Sequence, residues 1–320
     1  MKNKKVVITG GAGFIGSNLA WELSKENEVV IIDDLSTGKI KNIQSLIDNE
    51  LVTFVKGSVT DSKLLHQILT DIDYVFHMAA LVSVPKSFMD PILTSTINVN
   101  GTVNVLSAAL ENNVAKVVNA SSCAVYGDST DLPLHEESTT RPLSSYAMTK
   151  LIGEHYCDIF SNIHGLSVVS LRYFNVFGPR QDPLNEYAAV IPIFISRALD
   201  EKPLIIYGDG TQTRDFVFVN DVVRANIFFA EKNITRIFNI GSGKNVSINE
   251  IADWIEEIYG KSTDKTYEPE REGDILHSIA NVSKSKEVGF EAETDLYVGL
   301  QKTFEWFEDQ SKKPEIIYEI

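Results

Sequence analysis

Tyr146 and Lys150 are four residues apart, so in a helix their side chains share one face. A phenol with a pKa of about 10 is a poor base at neutral pH, but a nearby cation stabilises the phenolate and lowers that pKa. Tyr146 could then take a proton from a hydroxyl group while hydride leaves the same carbon atom. Upstream, an apolar run ends in Ser121 and Ser122, where a hydroxyl would lie at the ligand-binding edge of a parallel sheet. Tyr146, Lys150 and a hydroxyl from this pair of serines therefore form the candidate catalytic set.

A glycine-rich turn follows the first apolar run of the chain and contains Gly10, Gly13 and Gly16. Glycines at this spacing allow a tight turn, close approach of the backbone to a pyrophosphate, and close packing of helix on strand. The next helix would direct free N–H groups at the phosphates. The second apolar run ends in Asp33, about 20 residues on, where a carboxylate binds ribose hydroxyls and repels the 2′-phosphate of NADP. This combination predicts NAD as the cofactor.

The elements that must position these residues alternate between strands and helices. Short runs rich in Val, Ile and Phe predict strands at 5–9, 29–33, 51–56, 74–77, 116–120 and 167–172. Amphipathic stretches between them predict helices at 14–25, 40–47, 62–69, 91–112 and 146–164. Such alternation is typical of βαβ units, and continuous apolar strands indicate a sheet covered on both faces. The predicted fold is α/β, with a doubly wound parallel sheet of the Rossmann type.

The pattern changes beyond about Tyr173, where prolines and a Gly-Asp-Gly turn separate shorter elements. This change predicts a smaller C-terminal α/β domain. The dinucleotide-binding domain is expected to span 1–173, with 213–242 returning to it. The substrate domain is expected to comprise 174–212 and 243–320.

Composition excludes several classes of partner. The 320 residues carry a formal net charge of −15, whereas nucleic acids and anionic membranes require a cationic surface. Two cysteines and six histidines show no metal-ligand spacing, so no metal is expected. Because no stretch approaches the roughly 20 apolar residues of a membrane span, we expect a cytoplasmic protein.

These motifs together resemble the extended short-chain dehydrogenase/reductase family. The resemblance is carried by residues 9–16, by Ser121 and Ser122 followed by Val-Tyr-Gly at 125–127, and by the Tyr146–Lys150 pair. Residues 172–183, 214–217 and 271–274 are similar to motifs of the UDP-sugar 4-epimerases within that family. The resemblance extends from about residue 5 to residue 307, and it implies that the second domain holds a nucleotide sugar.

The resemblance also implies roles for individual residues. Ser122 would hydrogen-bond the reacting hydroxyl, Tyr146 would be the acid/base, and Lys150 would bind the nicotinamide ribose and tune Tyr146. The cofactor-binding residues would be Gly10, Gly13, Phe14, Ile15, Gly16, Asp33, Ser36, Ala79, Ala80, Asn98, Tyr146 and Lys150. The substrate-binding residues would be Ser83, Ser122, Asn175, Gln181, Ala189, Val190, Tyr207, Arg214, Arg271 and Ser278.

The residues around the strand end bear on the reaction. Dehydratases of the family carry an Asp-Glu pair where this chain has Cys123 and Ala124, so the extra acid/base for elimination is missing. The implied reaction is epimerisation: oxidation at C4, rotation of the keto sugar, and return of hydride to its other face. Ser278 resembles the family's size gate, and with Ser83 and Gln181 it favours interconversion of UDP-GlcNAc and UDP-GalNAc. UDP-Glc and UDP-Gal are further candidate substrates.

The sequence is compatible with three other functions. A UDP-glucuronate 4-epimerase or decarboxylase would share nearly every motif. A non-catalytic nucleotide-sensing relative would typically lack the tyrosine or the lysine, which are both present. An oxidoreductase with net turnover would release NADH. The helices at 91–112 and 146–164 resemble those that pair into a four-helix interface in this family, so a homodimer is expected.

Overall fold

A computed structural model describes residues 1–183, 189–270 and 275–312. The strands are β1 (Lys5–Thr9), β2 (Glu28–Asp33), β3 (Thr53–Lys56), β4 (Tyr74–His77), β5 (Lys116–Ser122), β6 (Val168–Tyr173), β7 (Asn175–Phe177), β8 (Leu204–Tyr207), β9 (Thr213–Arg214), β10 (Phe216–Phe218), β11 (Ile237–Ile240), β12 (Val246–Ser247) and β13 (Lys265–Glu268). The α-helices are α1 (Phe14–Leu23), α2 (Gln44–Asp48), α3 (Ser62–Ile68), α4 (Val84–Met89), α5 (Pro91–Ser95), α6 (Gly101–Glu111), α7 (Ser145–Asn162), α8 (Val190–Leu199), α9 (Val219–Glu231), α10 (Ile248–Tyr259), α11 (Ser283–Glu287) and α12 (Leu296–Ser311). Short 3₁₀ helices span Ile40–Asn42 and Cys123–Tyr126, and a π-helical turn spans Thr96–Asn100.

The central sheet has seven strands in the order β11-β6-β5-β4-β1-β2-β3. Every neighbouring pair from β6 to β3 is parallel, with β1 between β2 and β4. The strand order reverses between β1 and β4, and at such a point parallel α/β sheets bind dinucleotides. The predicted doubly wound parallel sheet of the Rossmann type is confirmed.

The chain divides into two compact units. The first comprises Met1–Gly127, Thr139–Tyr173 and Val223–Asn239, and the second comprises Asp128–Ser138 and the described residues of 174–222 and 240–320. After Tyr173, the segment Val223–Asn239 lies in the first unit. Phe216–Phe218 pairs with Asn175–Phe177, and both strands belong to the second unit.

The hydrophobic core of the first unit lies between the sheet and the helices that cover it. Val7, Val75 and Val117 on three neighbouring strands are at most 1% exposed, and they cluster with Leu65 of α3 and Val105 of α6. This packing explains why the strands read as continuous apolar runs, since residues on both faces of a covered sheet avoid water.

The long helix predicted at 91–112 is helical from Pro91 to Glu111, with a π-helical turn inside it. After α5, the chain forms the π-helical turn Thr96–Asn100, in which the N–H of Gly101 donates to the carbonyl of Thr96, and α6 follows. The extra residue in this turn accompanies the burial of Asn98, whose side chain hydrogen-bonds both the N–H and the carbonyl of Leu81. A π-helical turn inside a helix often marks a functional site, and the apolar periodicity did not reveal it.

Candidate active site

The glycine-rich turn joins β1 to α1, and each glycine has a distinct steric reason. Gly10 has φ +67°, and a Cβ atom there would lie 2.7 Å from the backbone of Ala79. A Cβ atom on Gly16 would overlap the carbonyl oxygen of Gly10, so a side chain would separate α1 from the strand. Gly13 is the N-cap of α1 and makes no side-chain capping bond. The turn thus brings bare backbone and a helix N-terminus together, which is the arrangement that suits a pyrophosphate.

Asp33 ends β2, and its side chain connects the glycine-rich turn to the loop that follows β2. Its Oδ2 accepts a hydrogen bond of 2.9 Å from the N–H of Ala12, and its Oδ1 accepts one of 2.8 Å from Leu35. Burial raises the pKa of Asp33, and these two N–H groups oppose that rise. A carboxylate has about four acceptor sites, so the two backbone bonds leave capacity for ribose hydroxyls. Ser36 lies exposed in the following loop.

The segment after β4 is fixed by Asn98. Ala79 and Ala80 are half-buried there, and the Asn98 side chain holds the next residue, Leu81, by its backbone. Asn98 also donates a hydrogen bond of 3.0 Å to the hydroxyl of Thr149 on α7. The same amide therefore ties the loop after β4 to the helix that carries Tyr146 and Lys150.

The two serines at the end of β5 face different partners. The Ser122 hydroxyl caps the 3₁₀ helix Cys123–Tyr126 by accepting from the N–H of Ala124 at 3.2 Å. It also forms a hydrogen bond with the Tyr146 phenol, which opposes the rise in the pKa of Tyr146. The Ser121 hydroxyl instead donates to the buried carboxylate of Glu154. Ser122 is thus the serine that contacts Tyr146.

Tyr146 and Lys150 lie on α7, which begins where Ser144 accepts a capping bond from the N–H of Ala147. Burial raises the pKa of Tyr146 to about 12. Lys150 directs its ammonium group to the carbonyl oxygen of Ala120 at 2.7 Å. The Lys150 nitrogen lies 6.0 Å from the centre of the Tyr146 ring. Burial in turn lowers the pKa of Lys150 to about 8.

His77, which the sequence reasoning did not single out, ends β4 in the same neighbourhood. Its Nδ1 lies 2.8 Å from the Thr9 hydroxyl and its Nε2 lies 2.9 Å from the Thr102 hydroxyl. Burial, with a smaller effect of the Lys150 charge, lowers the pKa of His77 to about 3. His77 is therefore neutral. Because His77 directly precedes Met78 and Ala79, the sequence could have marked it as a residue near the cofactor site. Nothing in the sequence indicated that Thr9 and Thr102 are its hydrogen-bond partners.

In the second unit, Arg214 and Ser278 are held side by side. The Ser278 N–H donates to the carbonyl of Thr213 at 3.1 Å, and the Arg214 guanidinium donates to the carbonyl of Leu276 at 3.2 Å. Asp215 then anchors the neighbouring segment, accepting from the N–H of Ala280 at 3.0 Å. Ser278 is only 6% exposed.

The remaining substrate candidates have separate settings. Gln181 donates to the carbonyl of Val176, and its buried Oε1 has no hydrogen-bond partner among residues 1–183, 189–270 and 275–312. Ser83 caps α4 by accepting from the N–H of Lys86. Arg271 lies outside the described residues. The others are Asn175 at the start of β7, Ala189 and Val190 at the start of α8, and Tyr207 at the end of β8.

Within residues 1–183, 189–270 and 275–312, no group of three or more His, Cys, Asp or Glu side chains could hold a metal ion. In the same ranges, no helix combines the length and apolar character needed to cross a bilayer.

The sheet, the glycine-rich turn and the Ser122–Tyr146–Lys150 arrangement define an NAD-dependent enzyme of the extended short-chain dehydrogenase/reductase type. Residues 6–241 match the NAD dependent epimerase/dehydratase family, and the chain belongs to that family. The chain is accordingly an epimerase with NAD as its cofactor.

Individual relatives match nearly the whole chain. A putative UDP-glucose 4-epimerase of Methanocaldococcus jannaschii is 39% identical, covering 96% of this chain and 99% of that protein. A structure of UDP-N-acetylglucosamine 4-epimerase from Methanobrevibacter ruminantium M1 in complex with UDP-N-acetylmuramic acid is 42% identical, with a TM-score of 0.94 over 97% of this chain and all of that one. A structure of UDP-glucuronic acid 4-epimerase from Bacillus cereus with UDP-glucuronic acid and NAD is 34% identical, with a TM-score of 0.88 over 96% and 99% of the two chains.

Proposed function

We propose that this protein reversibly epimerises UDP-N-acetylhexosamines at C4, interconverting UDP-GlcNAc and UDP-GalNAc, and also accepts UDP-Glc and UDP-Gal. The observation that carries the proposal is the position of α7 at the end of β5: Lys150 donates to the carbonyl of Ala120 at 2.7 Å, two residues before Ser122, and Tyr146 lies one helical turn before Lys150. The choice of an N-acetyl sugar is supported by the 42% identical UDP-N-acetylglucosamine 4-epimerase of Methanobrevibacter ruminantium.

The chain's own residues would manage the proton at the C4 hydroxyl. The Tyr146 phenol has a pKa of about 12 and rests protonated on its own. In its phenolate form Tyr146 would take the proton of the C4 hydroxyl as hydride leaves C4, and it would return that proton when hydride is restored. Ser122 orients that hydroxyl, and the Lys150 ammonium keeps donors for the nicotinamide ribose beyond its bond to Ala120. Bound NAD would supply the hydride acceptor and a positive charge that favours the phenolate form of Tyr146.

Features of the second unit support a nucleotide-sugar ligand in that part of the chain. Arg214 offers a guanidinium of the kind that pairs with a diphosphate. The Oε1 of Gln181, which has no hydrogen-bond partner among the described residues, offers an acceptor for a sugar hydroxyl or amide N–H. Ser278 is small and buried, which supports space for an N-acetyl group. We retain Arg271, Asn175 and the other substrate candidates as part of this proposal.

The test is an assay of the purified protein with UDP-GlcNAc and no added NAD. We expect UDP-GalNAc to form, as followed by chromatography, without accumulation of NADH. Tyr146→Phe keeps the ring and removes the phenolic oxygen, so it should lose roughly 100-fold or more in kcat. A Tyr146→Phe protein that turns over at the normal rate, or a wild-type protein that leaves UDP-GlcNAc unchanged, would contradict the proposal.

A UDP-glucuronate 4-epimerase is the second candidate, favoured by the 34% identical Bacillus cereus enzyme. Profiling UDP-GlcNAc, UDP-Glc and UDP-GlcA in parallel separates the two candidates, since kcat/KM for the true substrate should exceed that for the others. Decarboxylation of UDP-GlcA would appear as a pentose product. Tight binding of all three sugars without turnover would instead indicate a nucleotide-sensing protein.

We also propose a homodimer built on the helices expected at 91–112 and 146–164, with α4 beside α5 and α7. These helices pack on one another and leave large apolar side chains exposed, including Met89 at 72%, Ile92 at 79% and Met148 at 45%. Apolar surface of this kind is typical of a protein–protein interface, and a second copy would bury it. Light scattering should give twice the monomer mass, and Ile92→Asp should shift the protein toward the monomer. A cytoplasmic location remains part of the proposal.

A further inference from the structure

Helix α7 is attached to strand β5 by three side chains spaced four residues apart. Tyr146 hydrogen-bonds Ser122, and one turn later Lys150 donates to the carbonyl of Ala120. One turn further, the Glu154 carboxylate accepts from the hydroxyl of Ser121. Residues at this spacing share one face of a helix. Three successive turns of α7 therefore contact the end of β5 that carries Ser122.

The last of these three contacts belongs to an ion pair removed from water. Arg172 on β6 donates to Glu154 through Nε at 2.8 Å and through Nη2 at 2.7 Å, and the two side chains are 3% and 1% exposed. The Arg172 guanidinium also lies 4.8 Å from the centre of the Tyr126 ring. Because a buried pair of this type is often no more stabilising than apolar residues of similar size, stability alone gives little reason for it.

We propose that Glu154 and Arg172 are positioning residues for the reaction: they fix the register between α7 and the end of β5, and neither charge can be removed without disturbing Lys150. This inference rests on the roles proposed above for Ser122, Tyr146 and Lys150. Ser121 is the link between the pair and the strand, since its hydroxyl reaches Glu154 while its neighbour Ser122 reaches Tyr146.

The charges of Glu154 and Arg172 should have a measurable effect on the pKa of Lys150. Burial lowers the pKa of Lys150 to about 8, while Cys157 and the Glu154 carboxylate act to raise it. The other titratable groups that face it are Tyr146 on its own helix, which lies within 6.0 Å, and His77 on β4, which is neutral. Arg172 of β6 cancels much of the Glu154 charge through its two hydrogen bonds.

Glu154→Gln and Arg172→Met, made one at a time, should therefore shift the pKa of Lys150 in opposite directions. Glu154→Gln leaves the Arg172 cation unpaired, so Lys150 loses its proton more easily and the alkaline limb of the kcat–pH profile moves down by about one pH unit. Arg172→Met leaves the carboxylate unpaired, so the limb moves up by about one pH unit. The double variant Glu154→Gln/Arg172→Met restores charge balance, and its profile should return close to that of the wild type.

Glu305→Gln is the control, because it neutralises an exposed carboxylate on a different helix, α12, and should leave the profile in place. Ser121→Ala removes the link without a charge, so it keeps the inference testable if a charge variant fails to fold. We expect it to lower kcat about tenfold through misplaced groups, with KM and bound NAD unchanged.

Shifts in the same direction for Glu154→Gln and Arg172→Met, or no shift in either, would overturn the inference. An unchanged kcat in Ser121→Ala would do the same. These failures can be told apart from failure of the proposed function by Tyr146→Phe. If Tyr146→Phe is inactive while the ion-pair variants behave like the wild type, only the positioning role is lost.

Discussion

Lowering the pH should test whether His77 is neutral in the folded protein. Its hydrogen bonds are compatible with only one placement of the proton on its ring. The Ala79 N–H donates to the Thr9 hydroxyl at 3.2 Å, and the Thr102 hydroxyl donates to the carbonyl of Asn98 at 2.6 Å. The Thr102 oxygen must then accept from Nε2–H of His77, and Nδ1 must accept from the Thr9 hydroxyl. A proton added to Nδ1 would face the Thr9 oxygen and deprive the Thr9 hydroxyl of its acceptor.

The size of the effect on stability follows from the difference between the pKa of His77 in the folded protein and its pKa in the unfolded chain. The pKa of His77 falls from 6.5 to about 3 on folding, so between these values the native state binds fewer protons than the unfolded chain. Stability from this residue is fully present above pH 6.5 and is lost as the pH falls toward 3. The free energy of unfolding should decrease by about 2 kcal/mol between pH 7 and pH 5 from His77 alone.

The assay compares urea unfolding of the wild type and His77→Gln at pH 7 and pH 5. Carboxylates contribute equally to both proteins, so the difference between their pH dependences isolates His77. Glutamine cannot gain a proton, and its pH dependence should be flatter by about 2 kcal/mol. His164→Gln, at an exposed histidine, is the control and should behave like the wild type. Equal pH dependence in His77→Gln and wild type, or ring ¹⁵N shifts showing a protonated Nδ1 at pH 7, would refute the reasoning.

Three other variants test separate parts of the structure. Gly16→Ala should cost about 2 kcal/mol or more in urea unfolding and lower the bound NAD content, because its methyl group would overlap the Gly10 carbonyl. Asp215→Asn should cost about 2–4 kcal/mol in the same assay, since the carboxylate accepts four hydrogen bonds, from the N–H and hydroxyl of Ser242 and from the N–H groups of Gly243 and Ala280. Ser278→Tyr should abolish turnover of N-acetyl sugars and spare plain hexoses; equal loss for both would remove Ser278 as the size gate.

Much of the first unit was predictable because its signals are local. Gly10 and Gly16 predict a tight turn at positions where a side chain would not fit. The strands around them alternate with amphipathic helices. The π-helical turn at Thr96–Asn100 was not predictable, since it accompanies the bonds from Asn98 to a loop distant in sequence. Glu154 could have been noticed from its spacing after Tyr146 and Lys150, but its pairing with Arg172 could not.

The sequence by itself determined the class of fold, the cofactor and the kind of chemistry, because each depends on residues close together along the chain. Only the tertiary structure decided the electrostatic state of those residues. The high pKa of Tyr146, the lowered pKa of Lys150 and the neutrality of His77 all arise from burial. Burial is a property of distant segments packed together, and the spacing of Tyr146 and Lys150 could suggest only their attraction.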